Sequence, residues 1–185
     1  MNKSTTKLVV ATGLGAALFM VLFMFVKVPS PVPETNFQIA YGVQAFFATL
    51  FGPVCGFLIG FIGHAVSDAT QYGSPWWSWV VASGLMGLIV GLASKKLAYK
   101  VEEGQFGKKE ILTFAVYCLV ASVLCWLVVA PVLDIVVYSE AANSVFAQGV
   151  IAAIMDFVSA FVVGLVLLKA YAATRTQKGS LSKDN

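Results

Sequence analysis

An all-α integral membrane protein, with six transmembrane helices in one bundle, is the fold this sequence predicts, and three observations predict it. Only 11% of the 185 residues are charged, against about a quarter in a soluble domain. Apolar residues make up 59% of the chain and the mean hydropathy is +0.85. Apolar runs also recur at the ~20-residue length that crosses a bilayer, with lysines between them. A net charge of +3 is too small to suggest a nucleic-acid partner.

The chain opens with MNKSTTK and then runs from 8 to 26 without a charge. A cleaved signal peptide has a shorter apolar region followed by a small-residue cleavage site, so this reads as a retained first span. The next uncharged stretch, 37–63, suits one long helix or two short ones and carries Gly52-Pro53 near its middle. That pair favours a break, which gives a second span and a third. Three later runs are each long enough to cross. The predicted spans are about 8–27, 37–51, 53–70, 76–96, 110–133 and 145–170. They form one domain, 1–175, followed by a short polar cytoplasmic tail, 176–185.

Charge sets the orientation. With six spans and both termini in the cytoplasm, every one of the 12 basic residues except Lys27 lies inside, as the positive-inside rule requires. With five spans, the lysine-rich stretch 95–109 would lie on the side opposite the N-terminus. The outer segments then become 28–36 (VPSPVPETN), 71–75 and 134–144. The prolines of the first favour an extended, partly rigid loop, suited to act as a lid or to serve as a plain connector. Cys55, Cys118 and Cys125 all lie within apolar runs, as small packing residues do.

Polar side chains inside the spans are the candidate functional residues: Gln38, Gln44, His64, Asp68, Gln148 and Asp156. An ionisable group at mid-bilayer costs roughly 2.5–3.5 kcal/mol on insertion scales and normally faces a cavity or a partner. Gly52, Gly56, Gly60, His64 and Asp68 follow one another at four-residue steps, so they share one helix face. Its glycine half suits close helix packing. His64 lies roughly 16 Å beyond Pro53 along the helix, where a polar outer cavity would begin. Asp156, near mid-depth of the last span, would face the same cavity. Tyr72, Trp76, Trp77 and Trp79 cluster beside Asp68. Such residues anchor membrane interfaces or stack against planar ligands. A purely structural His64–Asp68 network is the alternative.

The chain has no GxxxxGK[ST] loop for ATP, no HExxH pair or other metal-spaced set, and no GxSxG elbow. No internal repeat of the kind many secondary carriers show is evident.

The stretches VPSPVPETNFQIAYGVQAFFATLFGPVCGFLIGFIGHAVSD (28–68) and QYGSPWWSWV (71–80) resemble the S components of energy-coupling factor (ECF) transporters, in the subfamily grouped with riboflavin-type S components. The resemblance covers nearly the whole chain and is weakest in 98–144 and the tail. It implies a non-enzymatic, multi-pass subunit of a bacterial plasma membrane, with no intrinsic cofactor or metal. Such a subunit captures a vitamin or similar micronutrient, such as riboflavin, cobalamin or haem, in its outer half beneath the first outer loop. It then docks on a transmembrane coupling subunit driven by two ATPases, topples in the lipid and releases its substrate inward.

Substrate contacts are expected from Gln44, His64, Asp68, Gln148 and Asp156, with Asn36 and Glu34 on the lid and Tyr72, Trp76, Trp77 and Trp79 packing on its rings. For a haem substrate, His64 is the candidate iron ligand. The small-xxx-small docking motif of the family's first span falls on Ala11 and Gly15, with Gly13 and Ala17 as a second register. Two other classes of function stay open: a self-sufficient proton-coupled carrier relaying through His64 and Asp156, and a structural or assembly subunit with no ligand.

Overall fold

A computed structural model describes residues 5–175. The tail predicted at 176–185 lies outside the described residues. Helix α1 spans Thr5–Phe25. It leads into a small antiparallel ribbon, β1 (Lys27–Pro29) and β2 (Asn36–Gln38), in the register Lys27↔Gln38, Val28↔Phe37, Pro29↔Asn36. Then follow α2 (Ala40–Phe51), α3 (Pro53–Tyr72), α4 (Trp77–Gly91) and α5 (Ser94–Glu102). Two long helices complete the chain, α6 (Lys108–Tyr138) and α7 (Ala142–Ala173).

Four helices are long and apolar enough to cross a membrane, namely α1, α3, α6 and α7; α4 and α5 make a fifth span if that pair, bent by 63°, counts as one. The predicted second span is the exception. Helix α2 has 12 residues, about 18 Å of rise against a hydrocarbon core of about 30 Å. It survives at that length because it lies inside the protein, touching α1, α3, α4, α5 and α7.

The break at Gly52-Pro53 is real. Gly52 has φ +100°, a left-handed value that suits glycine, and its N–H closes α2 on the Ala48 carbonyl. Pro53 then opens α3, where its missing N–H costs nothing. The glycine face of α3 is the seam with α4. A Cβ on Gly56 would strike the Gly87 carbonyl, and one on Gly60 would strike Gln44 and the Ser83 carbonyl. The two backbones therefore touch, as small-residue helix pairs in membranes do.

Two expectations for the outer segments change. The proline-rich stretch 28–36 is not a plain loop: its ends pair as the β-ribbon, and Pro31 and Pro33 occupy the tip, where no ladder hydrogen bond is lost. The stretch 134–144 is mostly helical, because α6 runs on to Tyr138 and α7 begins at Ala142. Helix α6 accommodates Pro131 through π-helical turns at Cys125–Val129 and Asp134–Tyr138, a local widening common at functional sites. Outward-facing side chains on α1, α6 and α7 are apolar, among them Val10, Leu14, Leu119, Val123, Val150 and Val166. A face of that kind belongs in lipid.

Candidate functional site

At the ribbon end of the bundle lies a cavity of about 480 Å³, lined from α1, the ribbon, α2, α3, α4, α6 and α7. That volume is within the range of small-molecule sites. The ribbon closes over it, and its tip is tied down where Gln148 Nε2 of α7 donates to the Pro33 carbonyl, 3.3 Å. The sequence pattern builds this end locally. Helix α3 brings His64 and Asp68 up past the glycine seam, α4 starts with its tryptophans, and the C-terminal turn of α6 ends beside them.

A polar chain runs from the cavity floor to its mouth. Tyr41 Oη lies 2.9 Å from Ser83 Oγ, and Ser83 Oγ lies 2.7 Å from His64 Nδ1. His64 Nε2 lies 3.4 Å from Asp68 Oδ1, and Asp68 Oδ2 accepts from the Trp76 backbone N–H at 3.0 Å. With the imidazole proton on Nε2 facing Asp68, Tyr41 donates to Ser83 and Ser83 donates to His64, so every group in the chain is used. Both nitrogens of His64 are therefore engaged, and Phe23 covers its ring at 4.3 Å between centroids.

The aromatic wall has its own support, which the sequence did not reveal. Asp134 Oδ1 accepts from Trp76 Nε1 at 2.7 Å and from Ser78 Oγ, and Oδ2 accepts from Trp79 Nε1 at 2.8 Å. The residue is 1% exposed. One carboxylate thus fixes both indoles, while Tyr138 stacks on Trp76 at 4.5 Å and Trp126 on Trp79 at 5.2 Å. Asp134 falls in an outer segment when the span is taken to end at 133. Its π-helical turn instead aims it inward.

Eight of the ten expected substrate contacts line this one cavity: Asn36, His64, Asp68, Tyr72, Trp76, Trp79, Gln148 and Asp156. Two do not. Gln44 is buried in the helix seam, where its Nε2 donates to the Gly56 and Ser83 carbonyls at 3.0 and 2.7 Å. It locks α2 to α3 and α4. Trp77 is 49% exposed and points away, its ring 6.0 Å from that of Phe61. Trp76 and Trp79 are three apart and share a face; Trp77 is turned about 100° from the first. The lid residue Glu34 lines the mouth, and Gln38, Tyr41 and Asp134 join the expected set. His64 and Asp156 share the cavity without a direct hydrogen bond between them.

On α1, Ala11 and Gly15 are buried; a Cβ on Gly15 would meet Ile59. That register packs the protein against itself. Gly13 has open space around it, and Ala17 is exposed beside it.

Comparison with known proteins gives one consistent answer. Residues 3–173 match the family described as ECF-type riboflavin transporter, S component. The chain is 50% identical over 184 residues to a UPF0397 protein of Lactococcus lactis, covering 100% of both chains. It is 54% identical over 180 residues to a UPF0397 protein of Streptococcus gordonii, covering 97% of this chain and 95% of that one. A UPF0397 protein of Streptococcus agalactiae is 52% identical over 184 residues, again with 100% coverage of both. With a membrane bundle, a polar-lined cavity at one end and a family match over nearly its whole length, the chain belongs to the S components of ECF-type transporters, a family of non-enzymatic transport subunits.

Proposed function

We propose that the chain is the substrate-specific membrane subunit of an ECF-type importer, capturing a vitamin- or cofactor-sized micronutrient from outside the cell. A transmembrane coupling subunit and two partner ATPases then drive its delivery. The observation that carries this reading is the cavity under the ribbon. It is of ligand size, walled by two fixed indoles, and lined by polar groups that a membrane interior tolerates only when they face a partner. A structural subunit has no use for such a space. The engagement of both His64 nitrogens favours an organic ligand over one held through iron. Delivery by a coupling subunit suits the exposed Gly13 and Ala17 register of α1, where another helix can approach closely.

The test has two arms. The purified chain is titrated with micronutrients while tryptophan emission is followed, since Trp76 and Trp79 line the site. Uptake of the compound that binds is then measured in cells with and without the coupling subunit and ATPases. Binding by the solitary chain, with uptake only when the module is present, is the expected result. Uptake without the module would favour the self-sufficient carrier.

A further inference from the structure

The lining of the cavity is one-sided in charge. It holds five carboxylates, those of Glu34, Asp68, Asp134, Glu140 and Asp156, against a single lysine. That lysine, Lys27, gives its ammonium to Gln71 Oε1 at 2.7 Å and lies 5.9 Å over the Tyr72 ring. Asp134 and Asp68 are supplied with donors from within the protein. Asp156 is not: it is 4% exposed, it lines the cavity, and among the described residues its carboxylate has no hydrogen bond or ion pair. A second acceptor in the same wall is also unserved. Gln38 is 8% exposed, and its Oε1 has no donor among the described residues.

Buried charges in proteins are paired, and buried acceptors are hydrogen-bonded. Two such acceptors facing one cavity call for a ligand that brings donors, and the excess of carboxylates in the lining favours one that carries positive charge. The walls agree. The faces of Trp76, Trp79 and Tyr72 attract cations through their ring quadrupoles. A cleft lined by one sign of charge also concentrates the opposite sign at its mouth.

Resting on the reading of this cavity as a capture site, we infer that its substrate is an organic cation: a ring compound bearing a protonated nitrogen, which donates N–H bonds to Asp156 and Gln38 Oε1 while the ring packs on Trp76 and Trp79. Phosphorylated or carboxylate-rich compounds are disfavoured by the same carboxylates.

The probe is the fraction of yeast extract below 1 kDa, divided at pH 7 into cation-exchanger-bound, anion-exchanger-bound and unbound pools. Each pool is titrated against tryptophan emission of the purified full chain. Any compound carried through purification is released by heat and run over the same exchangers. The expected result is a response confined to the cation-exchanger-bound pool. Asp156→Asn should weaken it at least tenfold, and Gln38→Glu, which adds a second carboxylate, should preserve or tighten it. The Gln38→Glu result guards against mistaking a misfolded Asp156→Asn for a lost contact. A response in the unbound or anion-exchanger-bound pool overturns the charge assignment and leaves substrate capture standing, as does weakening by Gln38→Glu. No response to any pool and no released compound overturns capture itself, and this inference with it.

Discussion

Asp134 shows how much one side chain can organise. Its two oxygens take three donors, from Trp76 just before α4 and from Ser78 and Trp79 in its first turn. Asp134→Ala leaves those donors without an acceptor in a site shielded from water, at about 1–3 kcal/mol for each that stays unpaired. Since 1.4 kcal/mol is tenfold in affinity, ligand binding followed by tryptophan emission should weaken by roughly tenfold or more. The emission of the ligand-free protein should also shift to the red as the indoles loosen. Asp68→Ala removes the acceptor of His64 Nε2 and of the Trp76 N–H. It should weaken binding by ~5- to 150-fold on the same scale, with a smaller change in emission, because both indole N–H bonds to Asp134 survive. An equal effect of the two substitutions on emission would show that Asp134 is not the anchor. The difference between these residues is also a difference in legibility. An acid or an imidazole within an apolar run announces itself, which is why His64, Asp68 and Asp156 stand out in the sequence. Asp134 also has apolar neighbours, Leu133 and Ile135, but a span taken to end at Leu133 leaves it outside, and only the continuation of α6 to Tyr138 through a π-helical turn brings it in. Trp77 misled in the opposite sense: three tryptophans cluster in 76–79, whereas helical spacing admits Trp76 and Trp79 to one face and excludes Trp77.

Helix α3 is defined by what its glycines allow. Gly56 and Gly87 face each other so closely that a Cβ on either would strike the backbone of the other. At Gly84 the nearest atoms are side-chain carbons of Phe57 and Phe61, which can shift. Gly87→Ala should therefore lower the thermal unfolding midpoint in detergent more than Gly84→Ala does, with overpacking costing about 1–3 kcal/mol where nothing gives way. The four-residue glycine rhythm makes this seam legible from the sequence alone. The Gly52-Pro53 break is equally plain there, because both residues act on their own backbone. The brevity of α2 is not, since 37–51 is as apolar as a span and only its burial by five other helices shows that it need not cross. Helix α1 offers a paired test of packing against docking. Gly15→Leu drives a side chain into Ile59 and should destabilise the solitary chain and weaken its ligand binding. Gly13→Leu meets nothing and should leave both intact while lowering uptake by the assembled transporter. Binding lost in Gly13→Leu, or uptake untouched by it, would move the docking face elsewhere.

The whole molecule is polarised along its long axis, and that polarity yields a topology that can be checked. The ribbon, the cavity and the aromatic wall share one end. Helix α4 leaves that end at Trp77 and finishes at Gly91, so Lys95, Lys96 and Lys100 on α5 lie at the other. Helix α6 runs back from Lys108 to Tyr138, whose ring stacks on Trp76, and α7 returns to Lys169 beyond the far side of the bundle. Among the described residues Lys27 is the one basic side chain at the ribbon end, and it is held by Gln71. Basic residues stay on the cytoplasmic side during insertion, so the lysine-rich end is expected to face the cytoplasm and the cavity to open outward, as the proposed capture from outside requires. The three native cysteines are buried, so replacing them with alanine gives a background for single-cysteine labelling. Pro31 at the ribbon tip and Lys100 on α5 are both exposed, which removes burial as the reason for any difference between them. In intact cells a membrane-impermeant maleimide should label Pro31→Cys and spare Lys100→Cys, and permeabilised cells should label both. The reverse pattern would turn the cavity toward the cytoplasm, and the chain would then be built to receive its ligand from inside the cell.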